Sequence, residues 1–146
     1  MVKVMGRVAV AIVALGLVAP VAVYAQDAIK NRKDDMQILR KSVGAIKGVV
    51  DGKDAVDTAA APAQAVVDVA KRMAAGFPVG SDQGDTKALA AIWTDKAGFD
   101  AAVANFNTAA GALLVASNAK NLDGIKAAFG EVGKTCGACH DKYRGK

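Results

Sequence analysis

Histidine occurs once in this 146-residue chain and cysteine twice. A closed zinc site takes four nitrogen or sulfur ligands, and no third cysteine or second histidine exists to complete one. No serine–histidine–acid set, no glycine-rich phosphate loop and no singled-out pair of carboxylates marks the chain as a catalyst. The expectation is a protein that is not an enzyme. Strand signals are weak as well: the β-branched residues do not alternate with polar ones. Basic residues are interspersed with acids rather than clustered, which argues against nucleic acid or a strongly charged membrane surface as a partner.

What is present begins with "MVKVMGR", which carries Lys3 and Arg7 and no acid. The uncharged run "VAVAIVALGLVAPVAVYA" follows, with Pro20 ahead of Val23-Tyr24-Ala25. Basic, then apolar, then small residues is the order of a secretory signal peptide, here residues 1–25, cut after Ala25. An uncleaved anchor is the rival, but the run from Val8 to Ala25 is at the short limit for spanning a bilayer. No second transmembrane candidate is read. Without Lys3 and Arg7 the formal charge falls from +5 to +3 over the 121 residues 26–146, a length suited to one domain with one core. The expectation is an exported, soluble, periplasmic protein.

Four apolar stripes step by three and four along the mature chain. They are Ile29, Arg32, Met36, Leu39, Val43, Ile46, Val50; Val56, Ala59, Ala63, Val66, Ala70, Met73, Phe77; Phe99, Val103, Phe106, Ala110, Leu113, Ser117; and Leu122, Ile125, Phe129, Val132, Cys136, Cys139, Tyr143. Each predicts an amphipathic helix burying one face. "DGKD" (51–54) joins the first two, with a glycine stop and an aspartate able to cap the next start. "NAKN" (118–121) joins the last two. A longer segment, 76–98, with Pro78, Gly80, Gly84 and Gly98, separates the second from the third. The predicted fold is all-α, an antiparallel four-helix bundle with a long loop between the second and third helices.

The fourth stripe ends in "TCGACHDKYRGK" (135–146). Cys136 and Cys139, three apart, share a helix face and continue the buried stripe. The thiols are therefore expected to point into the core, with His140 beside them. C-x-x-C-H is the attachment motif of c-type haem: two thiols add to the two porphyrin vinyl groups and the adjacent imidazole ligates iron. A redox dithiol also uses C-x-x-C, but in a βαβ setting that this chain lacks. A plain Cys136–Cys139 disulfide in an oxidising compartment is the different-class alternative, a haem-free helical protein. It leaves the sole histidine beside the second cysteine as coincidence.

"AIKNRKDDM", "GSDQGDTKALAAIW" and "AAFGEVGKTCGACHDKYR" together resemble the cytochrome c′ family, including its low-spin c-556 type, over the whole mature chain. The resemblance implies a periplasmic monohaem protein with one covalent haem c, used in electron transfer or in binding a diatomic gas such as nitric oxide or carbon monoxide. It implies transient redox protein partners. Family members often pair through their first two helices, and the small-residue surfaces here fit a homodimer or a monomer. Cys136 and Cys139 would hold the haem and His140 the iron. Tyr143 and Arg144 match the family's aromatic and basic positions after the histidine. Arg144 either lies near the proximal imidazole or complements the helix dipole.

Arg32 is the one charge in the first stripe. A buried arginine needs an anionic partner, which a haem propionate would supply, as the family has it at this point; the other reading is snorkelling to solvent. Lys33 can reach the haem edge. Asp85 matches a family position near that edge and reads equally as a capping aspartate ahead of the third helix. Met36 occupies the first-helix position that faces the distal side of the haem. Its thioether either ligates iron, giving a low-spin centre, or packs against the porphyrin and leaves the iron five-coordinate. Met73 reads as core packing, and Trp93 as an anchor of the long loop.

Overall fold

The computed structural model describes residues 19–146. Of the expected leader, residues 1–18 lie outside the described residues, and 19–25 belong to the opening turns of the first helix. The helices are α1 (Ala19–Val50), α2 (Ala60–Arg72), a single turn α3 (Ala91–Thr94), α4 (Lys96–Asn118) and α5 (Leu122–Tyr143). Four long helices match the four stripes. The short α3 is the addition, formed inside the long segment where Ala90-Ala91-Ile92-Trp93 allow one turn before Asp95.

The joints decide the packing. After α1 the chain reverses at Gly52, whose φ of 72° is left-handed and suits glycine alone without strain. The N–H of Lys53 donates to the carbonyl of Gly48 and that of Gly52 to Val49, satisfying the last carbonyls of α1. The expected cap from this joint is not made. A turn of 3₁₀ helix, Val56–Ala59, leads into α2, and neither Ala55 nor Ala59 offers a capping side chain. The second reversal falls at 118–121 as read, and there Asn121 caps α5 by accepting the N–H of Gly124 at 3.0 Å. Short joints of this kind place consecutive helices antiparallel. α1 packs on α2, α2 on α4, α4 on α5, and α5 closes back on α1.

The main core lies inside this ring. Ile46, Leu113 and Ile125 are fully buried there beside Ala63, Val66, Ala70 and Ala110. Burying a side chain the size of leucine stabilises by roughly 1.5–3 kcal/mol, and the alanines let the helix axes approach. Asn107 ties α4 to the end of α2, donating through Nδ2 at 3.1 Å to the carbonyl of Ala70, which also accepts the N–H of Met73. α4 is long and apolar enough to cross a membrane by composition, contrary to the expectation of no second candidate. Here its apolarity serves the core: Phe99, Val103, Phe106, Ala110 and Leu113 are buried against its neighbours. Leu122 departs from its stripe and is exposed, because it opens α5 beyond the core's edge.

A second, smaller cluster sits at the end of the bundle where α5 finishes. It comprises Ile92, Phe99, Val103 and Tyr143, with Phe77, Trp93 and Cys139 packed against it. Met73 touches both clusters, as a core-packing methionine should.

Candidate haem site

The last three turns of α5 carry the distinctive chemistry. Cys136 and Cys139 are both free thiols, half-buried rather than enclosed. Cys136 packs against the main core and Cys139 against the smaller cluster. The thiols thus stand at the core's margin instead of inside it. Burial pushes both thiols up from their ordinary pKa, and Cys139 is raised further by Cys136. His140 is exposed, and among the described residues its ring makes no hydrogen bond. Partial desolvation and the charge of Arg144 pull its pKa down, against a smaller opposing effect of Asp141. The neutral imidazole this favours is the form that ligates a metal.

The end of α5 is clamped to the long loop. The N–H of Leu89 donates to the carbonyl of Tyr143 at 3.0 Å, and the N–H of Gly145 to that of Lys87 at 2.7 Å, a single antiparallel bridge. Tyr143 is buried edge-on to Phe99, ring centroids 5.3 Å apart, and its hydroxyl donates to Asp95 Oδ2 at 3.1 Å. Asp95 also accepts the N–H of Gly98, so it caps α4 while holding Tyr143. The capping role weighed for Asp85 therefore belongs to Asp95. Arg144 is exposed and its N–H donates to the carbonyl of His140 at 3.2 Å, one turn back. That bond is made by the backbone alone and closes the last turn of α5.

Arg32 settles one of its two readings. It is buried at 7 % exposure, so it does not snorkel. Nor does it face a carboxylate among the described residues. Nη1 donates to the carbonyl of Gly76 and to Ser81 Oγ; Nη2 donates to the carbonyl of Ser81 and to Thr86 Oγ1. The guanidinium also lies 4.7 Å from the centroid of the Phe77 ring. Neutral oxygens of the segment 76–86 thus occupy four of the donors of its planar fork. Burial does pull its pKa down, though arginine stays charged.

Lys33 pairs with Asp85 at 2.5 Å, both well exposed. The pair borders a shallow groove of about 320 Å³ shared with Ile29 and Gly84. Trp93 anchors the long loop as expected, its Nε1 donating to the carbonyls of Phe77 and Pro78, each at 3.1 Å. Met36 lies one turn after Arg32, half-buried, and belongs to neither apolar cluster. Asp35, beside it, is taken by Arg72. Ser81 and Thr86 were missed by the sequence reading. The only signal for them was a polar, glycine-rich loop with no periodicity.

The donor set fits covalent haem better than the alternatives. Among the described residues no three histidine, cysteine or acidic side chains converge to hold an ion, as a zinc site would require. The two thiols face different clusters and are not joined, against the disulfide reading. Two separated thiols and a neighbouring unpartnered imidazole suit attachment along the edge of a flat ring with the imidazole on its face.

Comparison with known proteins agrees. The profile of the family described as Cytochrome C′ matches residues 27–144. Cytochrome c′ of Alcaligenes xylosoxydans xylosoxydans is 36% identical over 125 residues, covering 83% of this chain and 95% of that protein. Cytochrome c-556 of Agrobacterium fabrum is 36% identical over 126 residues, covering 84% of each. Among solved structures, the nitric oxide complex of a single-residue variant of cytochrome c prime from Alcaligenes xylosoxidans superposes with a TM-score of 0.77 at 31% identity, covering 84% of this chain and 97% of that one.

Proposed function

Because the chain belongs to the cytochrome c′ family, whose members carry a covalently attached haem c, we propose that it is an exported, periplasmic monohaem cytochrome. It exchanges single electrons and binds a small uncharged gas such as nitric oxide at iron. Bound haem supplies the redox-active, gas-binding iron; the chain's residues decide how it is held and what reaches it. Cys136 and Cys139 supply the two thioether sulfurs, and α5 keeps them on one face. His140 would supply the nitrogen that holds the iron. Burial and, after it, the charge of Arg144 favour the neutral form of that imidazole. Arg32, Trp93 and the bridge at Tyr143 hold the long loop beside the site.

Met36 carries the reading. It is half-buried on α1 yet spent on neither apolar cluster, so its thioether is left for the distal side of the haem. A methionine that only packs there leaves a dry position that admits small neutral ligands. The nitric oxide complex of the relative in the same fold supports that reading. The second reading, a low-spin electron-transfer centre with Met36 as sixth ligand, is supported by the equally similar c-556 relative.

The ferric EPR and visible spectra of the haem-loaded protein separate them. A high-spin signal that Met36→Ala leaves in place, with faster nitric oxide entry, is expected for the open site. A low-spin signal that turns high-spin in Met36→Ala would assign the thioether to iron and remove gas binding as the resting role.

A further inference from the structure

Tyr143 closes α5 three residues after His140 and four after Cys139, so on the helix surface it neighbours both. Its ring is buried edge-on to Phe99, in the cluster against which Cys139 packs. A haem held through Cys139 and His140 is thereby continuous with this ring. The Tyr143 hydroxyl is not spent on a backbone carbonyl. It donates to Asp95 Oδ2 at 3.1 Å, and Asp95 is half-exposed. The same oxygen accepts the Lys142 ammonium at 2.6 Å, and that Nζ lies 5.3 Å from the centroid of the Tyr143 ring. Trp93, the other oxidisable ring at this end of the bundle, differs on this point. Its Nε1 donates to the carbonyls of Phe77 and Pro78, which are far weaker bases than a carboxylate. Tyr24 falls in the expected leader, so Tyr143 is the only tyrosine of residues 26–146.

We infer that Tyr143 is a second, proton-coupled one-electron site, which gives an electron to the haem once a peroxide has oxidised it and passes its phenol proton to Asp95. The inference rests on the reading that His140 holds the haem and that Met36 leaves the distal position open. Hydrogen peroxide is among the small neutral molecules that such a position admits. Reduction of one peroxide breaks the O–O bond and takes up two electrons and two protons to give two waters. One of these electrons comes by way of Tyr143. Its O–H bond breaks, the proton goes to Asp95 Oδ2, and a neutral phenoxyl radical stays on the ring. A soluble reductant of the ascorbate class then returns the electron, and Asp95 returns the proton. Loss of the electron alone would leave a cationic ring beside the Lys142 ammonium, and like charges at that separation repel. Electron and proton therefore leave together. The pair carries an oxidising equivalent away from the haem to the end of α5, where the half-exposed Asp95 meets solvent.

The test mixes the haem-loaded ferric protein with hydrogen peroxide, freeze-quenches it and reads the EPR spectrum. A tyrosyl radical is expected, with hyperfine structure that collapses when the protein is made with ring-deuterated tyrosine, and it should be absent from Tyr143→Phe. Asp95→Asn keeps the tyrosine but removes the base, and should cut the radical yield about tenfold or more. Asp95→Glu should restore part of that yield, and deuterated water should slow radical formation in the wild type. The ferric visible spectrum of each variant, taken before peroxide, separates loss of the radical from loss of haem. Equal yields in wild type and Asp95→Asn would overturn the proposal. So would a radical with indole nitrogen coupling that Trp93→Phe removes and Tyr143→Phe leaves, or haem that consumes peroxide without any protein radical. A wild-type protein without covalent haem, or with a low-spin iron inert to peroxide, would instead sink the reading on which the inference rests, and the inference with it.

Discussion

Arg32 and Ser81, 49 residues apart, are joined twice: Nη1 donates to Ser81 Oγ at 2.7 Å and Nη2 to the Ser81 carbonyl at 2.9 Å. With the bonds to Gly76 and Thr86, one side chain of α1 holds both halves of the turn that follows α2. Hydrogen bonds to a charged group contribute about 1.5–3 kcal/mol when one partner is removed. Arg32→Ala is therefore expected to lower unfolding free energy by about 2–4 kcal/mol, read from denaturant midpoints. Hydrogen exchange at residues 76–86 should accelerate selectively. Arg32→Lys should recover less than half of the loss, because an ammonium cannot fork to two oxygens of the same turn. A loss below about 0.5 kcal/mol in Arg32→Ala would mean that the turn holds itself.

Gly98 is where α4 meets the end of α5. A Cβ there would stand 2.7 Å from the Tyr143 hydroxyl oxygen and closer still to the Asp95 carboxylate. Gly98→Ala should thus displace both the helix cap and the tyrosine, costing about 1–3 kcal/mol. Tyr143→Phe removes only the hydroxyl bond and should cost about 1 kcal/mol. Thermal denaturation of the two variants checks the order; equal effects would show that the cap tolerates the methyl group.

Asp95 makes stability sensitive to acid. The Lys142 ammonium, the Gly98 N–H and the Tyr143 hydroxyl hold its carboxyl below the usual aspartate range. A depressed folded pKa contributes stability that is fully present above the unfolded value, about 3.9. That stability is lost as pH falls through the lower folded value. Asp95→Asn should accordingly lower Tm at neutral pH and flatten its decline below about pH 4. Parallel Tm–pH curves for wild type and variant would exclude Asp95 as a contributor to acid unfolding.

His140→Ala should abolish the axial ligation but not the attachment. The haem is expected to resist acid-acetone extraction while the visible spectrum changes. Cys136→Ala/Cys139→Ala should release it into the solvent layer. An unchanged spectrum in His140→Ala would place the axial nitrogen elsewhere, and the chain has no other histidine to offer.

Periodicity revealed the helices because burial of one face repeats every turn, and the core residues Ile46, Val66, Leu113 and Ile125 all lie on the stripes read from it. The motif at 136–140 was legible for a similar reason: its three residues are neighbours in the chain, so their chemistry needs no fold to be recognised. Trp93 was legible as a loop anchor, and its indole N–H does bind the loop's carbonyls. The role of Arg32 was not. Its partners lie 44 to 54 residues away in a segment without periodicity, and local pattern carries no information on contacts of that separation. Capping of α4, one of the two readings of Asp85, falls to Asp95 for a related reason, since α3 intervenes and shifts the start of the helix to Lys96.

By itself the sequence determined an all-α chain of four long helices and a c-type haem attachment at the end of the last, because both depend on spacing along a helix. The tertiary structure decided what stands around that attachment. It set the thiols at the core's margin, gave the buried arginine to the loop's oxygens, and kept Met36 out of both clusters. It also bridged Ala88 to Arg144. Each of these depends on where a distant segment comes to rest, and that follows from the packing of whole helices rather than from any local run of residues.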